Sequence, residues 1–301
     1  MTAAPVLSFP PDLPRPRIRK VAAVINPLSH SVGPAAVATL TETVAGFGLP
    51  LHLASPEPEG LGVAIQGALD AGPDLLVVLA GDGTAREAAR LCGPDGPLLA
   101  VLPGGTMNVL SHALYGLGPW PEILKGLLET GVEQMQSGGK VGGRPFYVAA
   151  VLGSPALWAP VREAVRAMRL PTAWKRGRSA LSQAFAGRLR FEADGRPRRK
   201  TTGLGLICPM ISRVLPNDTQ ALEAALLDQR DIAEVLRLGG FHLLGDWRAD
   251  PKVATLQCVH GEVWARRPIP AILDGESFRL ERLVSIEFVP RAYRALAPGP
   301  Q

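Results

Sequence analysis

The sequence predicts an α/β domain built on a mostly parallel sheet, followed by a β-rich antiparallel domain. Three observations carry this expectation. Over the first 138 residues, short apolar runs alternate with helix-compatible stretches at the spacing of βαβ units. Beyond the glycine-dense segment Gly138–Gly143 the apolar runs are short and follow one another without helical stretches between most of them. Turn signals such as Asp194-Gly195 join some of these runs, which favours hairpins. A chain of 301 residues accommodates one large or two medium domains.

Each element follows from a local signal. Val21–Ile25 is an apolar run closed by Asn26-Pro27, a buried strand ending in a turn. Gly33 to Gly46 has helix-compatible spacing and is closed by Gly48; Leu49–Leu53 is a second strand. A helix from Gly60 to Ala71 stops at Gly72-Pro73. Leu75–Ala80 is a strongly apolar strand running into Gly81-Asp82-Gly83-Thr84, with a helix over Ala85–Leu91. Leu98–Leu102 is a further strand entering Pro103-Gly104-Gly105-Thr106-Met107-Asn108. In the second half, Val161–Leu170 has the pattern of a basic helix, and about Asp218 to Leu238 has helical spacing. The strand-like runs there are Leu189–Glu192, Gly203–Ile207, Val253–Cys258, Glu262–Ala265, Ile269–Leu273 and Ser285–Val289. The expected domains are 1–138, with 1–19 a flexible leader, and 139–295, with 296–301 a tail.

Composition narrows the function classes. No apolar run approaches the roughly 18–20 residues that span a bilayer, and the Pro-rich start has no apolar signal segment. A cytoplasmic protein is expected, peripheral to the inner face of the membrane at most. Cys92, Cys208 and Cys258 are odd in number and far apart, which fits buried reduced thiols rather than disulfides or a zinc site. The five histidines lack HxH or HxxxH spacing, and no Gly-x-Ser-x-Gly elbow supports a hydrolase. The net charge is +5, with basic residues concentrated between Arg162 and Lys200. Arg162, Arg166, Arg169, Lys175, Arg176 and Arg178, with Trp158 and Trp174, suggest contact with anionic headgroups, against the alternative of a solvated helix.

Two glycine-rich loops carry the chemistry. A glycine after a buried strand lets the backbone approach a phosphate, and the helix that follows adds a positive dipole end. Asp82 lies on that turn, where it can hold Mg²⁺ or polarise a ligand hydroxyl. The loop at Gly105, Thr106 and Asn108 follows the next strand in an equivalent position, so the two together suggest one phosphate-sized cradle. Neither a Walker A loop nor GxGxxG at the first strand is present. Near the C-terminus, Leu273-Asp274-Gly275-Glu276 is either a simple hairpin turn or the carrier of a carboxylate that accepts a hydroxyl proton.

Taken in order, Asn26-Pro27-Leu28-Ser29, Gly81-Asp82-Gly83-Thr84 with Glu87, Gly105-Thr106 with Asn108, and Asp274-Gly275-Glu276 resemble the motif set of the diacylglycerol kinase catalytic-domain family. That family includes bacterial lipid kinases and sphingosine kinases, and shares an N-terminal fold with NAD kinases and phosphofructokinases. The resemblance covers roughly residues 20 to 295. It implies a three-layer nucleotide-binding domain of the NAD kinase and phosphofructokinase type, a β-rich lipid-substrate domain, and ATP with Mg²⁺. It further implies that Asn26, Gly81, Asp82, Gly83, Thr84, Glu87, Gly105, Thr106 and Asn108 hold the nucleotide, Asp82 the metal. Glu276, with Asp274 beside it, would take the proton of a lipid hydroxyl such as that of diacylglycerol.

Some positions depart from that pattern: Ala80 for a glycine, His30 for a glycine, Arg86 for a small polar residue and Val109 for an acid. The segment Val148–Ser154 lacks the family's Asn and Asp, and a structural-metal turn is reduced to Asp228-Gln229. The alternatives are a non-catalytic nucleotide- or lipid-binding homologue, or a kinase of a soluble substrate such as NAD. Expected partners are a lipid substrate and a transient anionic membrane surface, and not nucleic acid; a homodimer stays open.

Overall fold

The computed structural model describes residues 15–26, 29, 31–54, 60–154, 156, 188–212, 214–216, 219–227 and 254–299. It contains two compact units, residues 1–136 with 291–301, and residues 137–290. The basic helix expected over Val161–Leu170, the tryptophans Trp158 and Trp174, and Asp228-Gln229 lie outside the described residues.

The first unit is a parallel sheet of β1 (Val21–Ile25), β2 (Leu51–Ala54), β3 (Leu75–Ala80) and β4 (Leu98–Pro103), in the order β2-β1-β3-β4. β1, β3 and β4 are buried at every residue, which is why they read as unbroken apolar runs instead of alternating ones. Helices cover both faces. α1 (Ala36–Gly46) and α5 (Trp120–Thr130) pack Leu40, Val44, Leu124 and Leu127 on the face formed by Val21, Val77 and Ala100. α2 (Leu61–Asp70) and α3 (Asp82–Cys92) pack together on the sheet, burying Ala64, Ile65, Ala68, Ala85 and Ala88. Small residues on both helices let them lie close to the strands. A seven-residue α4 (Val109–Tyr115) follows β4. The chain returns to this unit at its end, where Ala295 pairs with Leu99 in parallel.

From β1 the chain first builds β2 on one side and then crosses to build β3 on the other. The switch point of the sheet is therefore between β1 and β3, where open α/β sheets bind their ligands beyond the carboxyl ends of the strands.

The second unit holds two antiparallel sheets. One runs β12 (Ala254–Cys258), β11 (Leu222–Leu227), β10 (Gly203–Ile207), β7 (Ala149–Gly153), β14 (Ile269–Leu273), β15 (Glu276–Leu280). The other has β8 (Leu189–Ala193) between β9 (Arg199–Thr201) and β13 (His260–Trp264); β13 in turn pairs with β16 (Leu283–Ala297). β5 (Val132–Val141) and β6 (Arg144–Phe146) form a hairpin, and β5 also pairs with β16. Phe146, Phe191, Leu152, Leu206, Val263 and Ile286 share one buried core. Two tight turns set hairpin registers: Gly142-Gly143 joins the pair Val141 and Arg144, and Asp274-Gly275 joins Leu273 and Glu276. Both have positive φ at their two central residues, the geometry of type I′ turns, and Asp194-Gly195 after β8 has the same φ signs.

The helical spacing read over Asp218–Leu238 is corrected for its described part, since Leu222–Leu227 is strand β11. Its Leu, Glu and Ala residues favour helix intrinsically, but β11 lies between β10 and β12 and is buried on both faces, so no alternation marks it. No helix among the described residues is long and apolar enough to cross a membrane.

All three cysteines are free and buried. Burial pushes the thiols of Cys92 and Cys258 up to about 12 and that of Cys208 well above the usual range. The native protein is therefore expected to leave a thiol-specific chromogenic reagent unreacted at mildly alkaline pH, and to release three equivalents once denatured. Rapid reaction of the native protein would contradict this packing.

Candidate functional site

Three loops meet at the carboxyl ends of β1, β3 and β4. Asn26 ends β1, and its N–H donates to Leu79 O at 3.0 Å, which places it beside the end of β3. The Gly104 N–H reaches Ala80 O at 3.2 Å. Ser31 closes the arrangement from the first loop: its N–H donates to Gly104 O at 3.1 Å and its hydroxyl to Gly105 O at 3.0 Å.

The glycines here are required by space. A Cβ on Gly105 would sit 2.6 Å from Gly81 Cα, and one on Gly104 would sit 2.7 Å from Ala80 N. Backbone meets backbone, so no side chain could yield. Ala80 itself lies within β3 with no positive φ, and its methyl is buried, so the departure from glycine is accommodated.

Asn108 and Asp82 fix what surrounds the glycines. Asn108 has φ 52° and ψ 40°, a left-handed conformation that asparagine tolerates better than most residues. Its Oδ1 accepts the Gly105 N–H at 2.7 Å and its Nδ2 donates to Gly105 O at 2.9 Å, closing a ring around the loop. Asp82 Oδ1 accepts the Val109 N–H, the first amide of α4, at 2.5 Å. The helix start is thus earlier than the sequence suggested, at Asp82 instead of Ala85, and Gly81 caps it without a side chain. The first-turn amides of a helix have no carbonyl within the helix to bind, which suits an anion.

The remaining residues named from the sequence divide. Thr84 is buried and Thr106 exposed on the rim of the same loops. Glu87 takes Arg90 in a two-pronged pair, 2.8 Å from Nε and 2.7 Å from the terminal nitrogen, and this pairing holds its carboxyl below the usual range. Asn26, Gly81, Asp82, Gly83, Thr84, Gly105, Thr106 and Asn108 are brought together. Ser31 is the residue that sequence reasoning missed; the serines Ser29 and Ser31 following β1 were the available signal.

In the second unit, Asp274 and Glu276 occupy the β14–β15 hairpin, with Leu273 paired to Glu276. Asp274 is 3% exposed, and its carboxylate accepts the amides of Tyr147 (2.7 Å), Val148 (2.9 Å) and Ala149 (3.0 Å). The Asp274 carboxylate, expected from the sequence to stand beside Glu276 as part of the proton acceptor, holds three amides and so anchors the turn. Glu276 is half-buried one residue past the turn. No cluster of three or more His, Cys, Asp or Glu side chains that could hold a metal occurs among the described residues.

Residues 20–139 match the diacylglycerol kinase catalytic domain family, as the motifs implied. The fold is shared with a diacylglycerol kinase from Bacillus anthracis (17% identity, 94% of this chain and 98% of that one, TM-score 0.66). It is also similar to an NAD kinase from Archaeoglobus fulgidus solved with ATP (14% identity, 93% and 94%, TM-score 0.51). A yeast NADH kinase solved with NADH gives 11% identity over 93% and 83%, with TM-score 0.51. These likenesses bear out an α/β domain followed by a β-rich antiparallel one. No curated protein sequence matches the chain.

Gly105→Ala is expected to destabilise the protein by about 1–3 kcal/mol, the usual cost of overpacking. Urea denaturation checks this, and an unchanged midpoint would show that the two loops do not approach as described.

Proposed function

We propose that this chain is a lipid kinase, transferring the γ-phosphate of ATP to the hydroxyl of a lipid such as diacylglycerol. The observation that carries the reading is the pair of glycine loops in backbone contact at the carboxyl ends of β3 and β4, next to the switch point between β1 and β3. The family match over residues 20–139 supports a phosphotransferase of this kind.

In this reading the first-turn amides of α3 and the loop at Gly104–Thr106 bind phosphate oxygens, and Asn26 lines the nucleotide. Asp82 would hold Mg²⁺, whose contribution is to neutralise phosphate charge. The fit rests on the chemistry of the donor, since Mg²⁺ takes carboxylate oxygens and Asp82 opens the helix that follows the Gly81 loop. The lipid hydroxyl oxygen forms a bond to the γ-phosphorus while the bond from that phosphorus to the bridging oxygen of ADP breaks. Glu276 takes the hydroxyl proton, and ADP leaves with the bridging oxygen. Asp274 acts through Glu276: by anchoring the turn to residues 147–149 it sets where the Glu276 carboxylate stands.

A second reading, a nucleotide binder without catalysis, is favoured by the engagement of Glu87 with Arg90. A single assay separates the two. With γ-labelled ATP, Mg²⁺ and diacylglycerol in mixed micelles, label is expected in an organic-extractable product. Glu276→Gln should lower turnover about 100-fold or more, as loss of a general base does, while leaving the ATP-induced rise in melting temperature intact. No label from a protein that ATP stabilises would establish the second reading.

A further inference from the structure

The outward face of the second unit's β8–β9–β13–β16 sheet carries a cluster that phosphoryl transfer leaves unused. The register aligns Leu283, Trp264, Arg190 and Lys200 in one row across four strands. Leu283 is 51% exposed, and Arg190 and Lys200 are exposed beside it. Neighbouring strands are antiparallel, so the start of β8, the end of β13 and the start of β16 lie at one end of the sheet. Arg188 precedes β8, Arg266 and Arg267 follow β13, and Arg282 precedes β16; all four are exposed. Against these six cations stands Glu281. Of the acids further along the face, Glu192 is paired with Arg198 at 2.9 Å and Glu287 with Lys140 at 3.9 Å, and Glu262 lies exposed opposite Glu192.

Two features argue against an idle solvated face. Arg190 and Lys200 lie directly opposite each other, and like charges in that relation destabilise a sheet unless an anion compensates. A half-exposed leucine, opposite Trp264 on the neighbouring strand, stands in the same row as those cations.

We propose that this face docks on an anionic lipid bilayer. The cations engage headgroup phosphates, and Leu283 enters the interfacial layer. A bilayer is favoured over a nucleic acid by the aromatic residue: the guanidinium of Arg198 covers the Trp264 ring at 4.4 Å, so that face is not open to stack a base. The exposed apolar group in the row is aliphatic, which gains by leaving water at a membrane interface. That docking brings the protein to its substrate rests on the lipid-kinase reading; the docking itself does not.

The experiment is co-sedimentation of the full chain, without nucleotide, with vesicles of phosphatidylcholine alone or mixed equally with phosphatidylglycerol. Binding is expected to the anionic vesicles only and should weaken as salt rises. Each cation near an anionic leaflet adds about fivefold to partitioning, so Arg190→Glu with Arg266→Glu and Arg282→Glu should reduce it more than about tenfold. Replacing the same three by Lys should leave binding near wild type. Leu283→Ser should weaken binding severalfold and keep the salt dependence. Circular dichroism and melting confirm that each variant is folded, and if the triple Glu variant is not, the Leu283→Ser and Lys variants still decide. The proposal is overturned if the wild type ignores anionic vesicles, or if folded variants bind as it does. It is equally overturned if short DNA or RNA, and not vesicles, binds through these cations. Failure of the lipid-kinase reading would show separately, as absent phosphate transfer from a protein that still sediments with vesicles.

Discussion

The approach of Gly105 to Gly81 is the constraint on which the first unit's site depends. With a would-be Cβ at 2.6 Å from the Gly81 Cα, the ends of β3 and β4 can meet only if position 105 is glycine. That contact turns two ordinary β–α loops into one concave run of amides. It also dictates their neighbours. Asn108 has to adopt a left-handed conformation to close around Gly105, Ser31 has to satisfy two glycine carbonyls, and Asp82 has to catch the start of α4. Loops held together this way are fixed before any ligand arrives, which is what the proposed phosphoryl transfer by positioning demands.

A second pattern runs through the molecule. Asp74 takes the amides of Arg19 and Lys20, which holds its carboxyl below the usual range and pins the entry to β1. Asp194 takes those of Val259 and His260, Asp274 those of residues 147–149, and Asp82 that of Val109. Asp194 and Asp274 do so from the same backbone, the first position of an Asp-Gly type I′ turn. In both hairpins the carboxylate receives strand-edge amides that would otherwise be unpaired near the turn. The repetition is why Asp274 is read as an anchor: its twin at Asp194 has the same geometry away from any motif.

The parallel half was legible because its strands are buried on both faces and its breaks are glycines and prolines. β3 was delimited to the residue, and β4 to within one. The convergence of the two glycine loops followed from strand adjacency. What sequence left hidden was decided at longer range. α5, rich in Leu, gave no clear start signal beyond Pro119 and Pro121. β11 has helix-forming residues and becomes a strand because two partners flank it. The partnership of Glu87 with Arg90 is an i,i+3 pair that helix geometry permits but spacing alone does not select over a ligand contact. The occupation of Asp274 by amides more than a hundred residues away could not be read from Asp-Gly-Glu.

The proposed function requires that the backbone of the two glycine loops binds phosphate. Amide hydrogen exchange resolved by NMR, with and without a non-hydrolysable ATP analogue and Mg²⁺, tests it most directly. Slowed exchange is expected to concentrate at residues 82–84 and 104–106, with the β8–β9 and β13 amides unchanged. Nucleotide-dependent protection elsewhere with none at these loops, or saturating nucleotide with no protection at all, would contradict it.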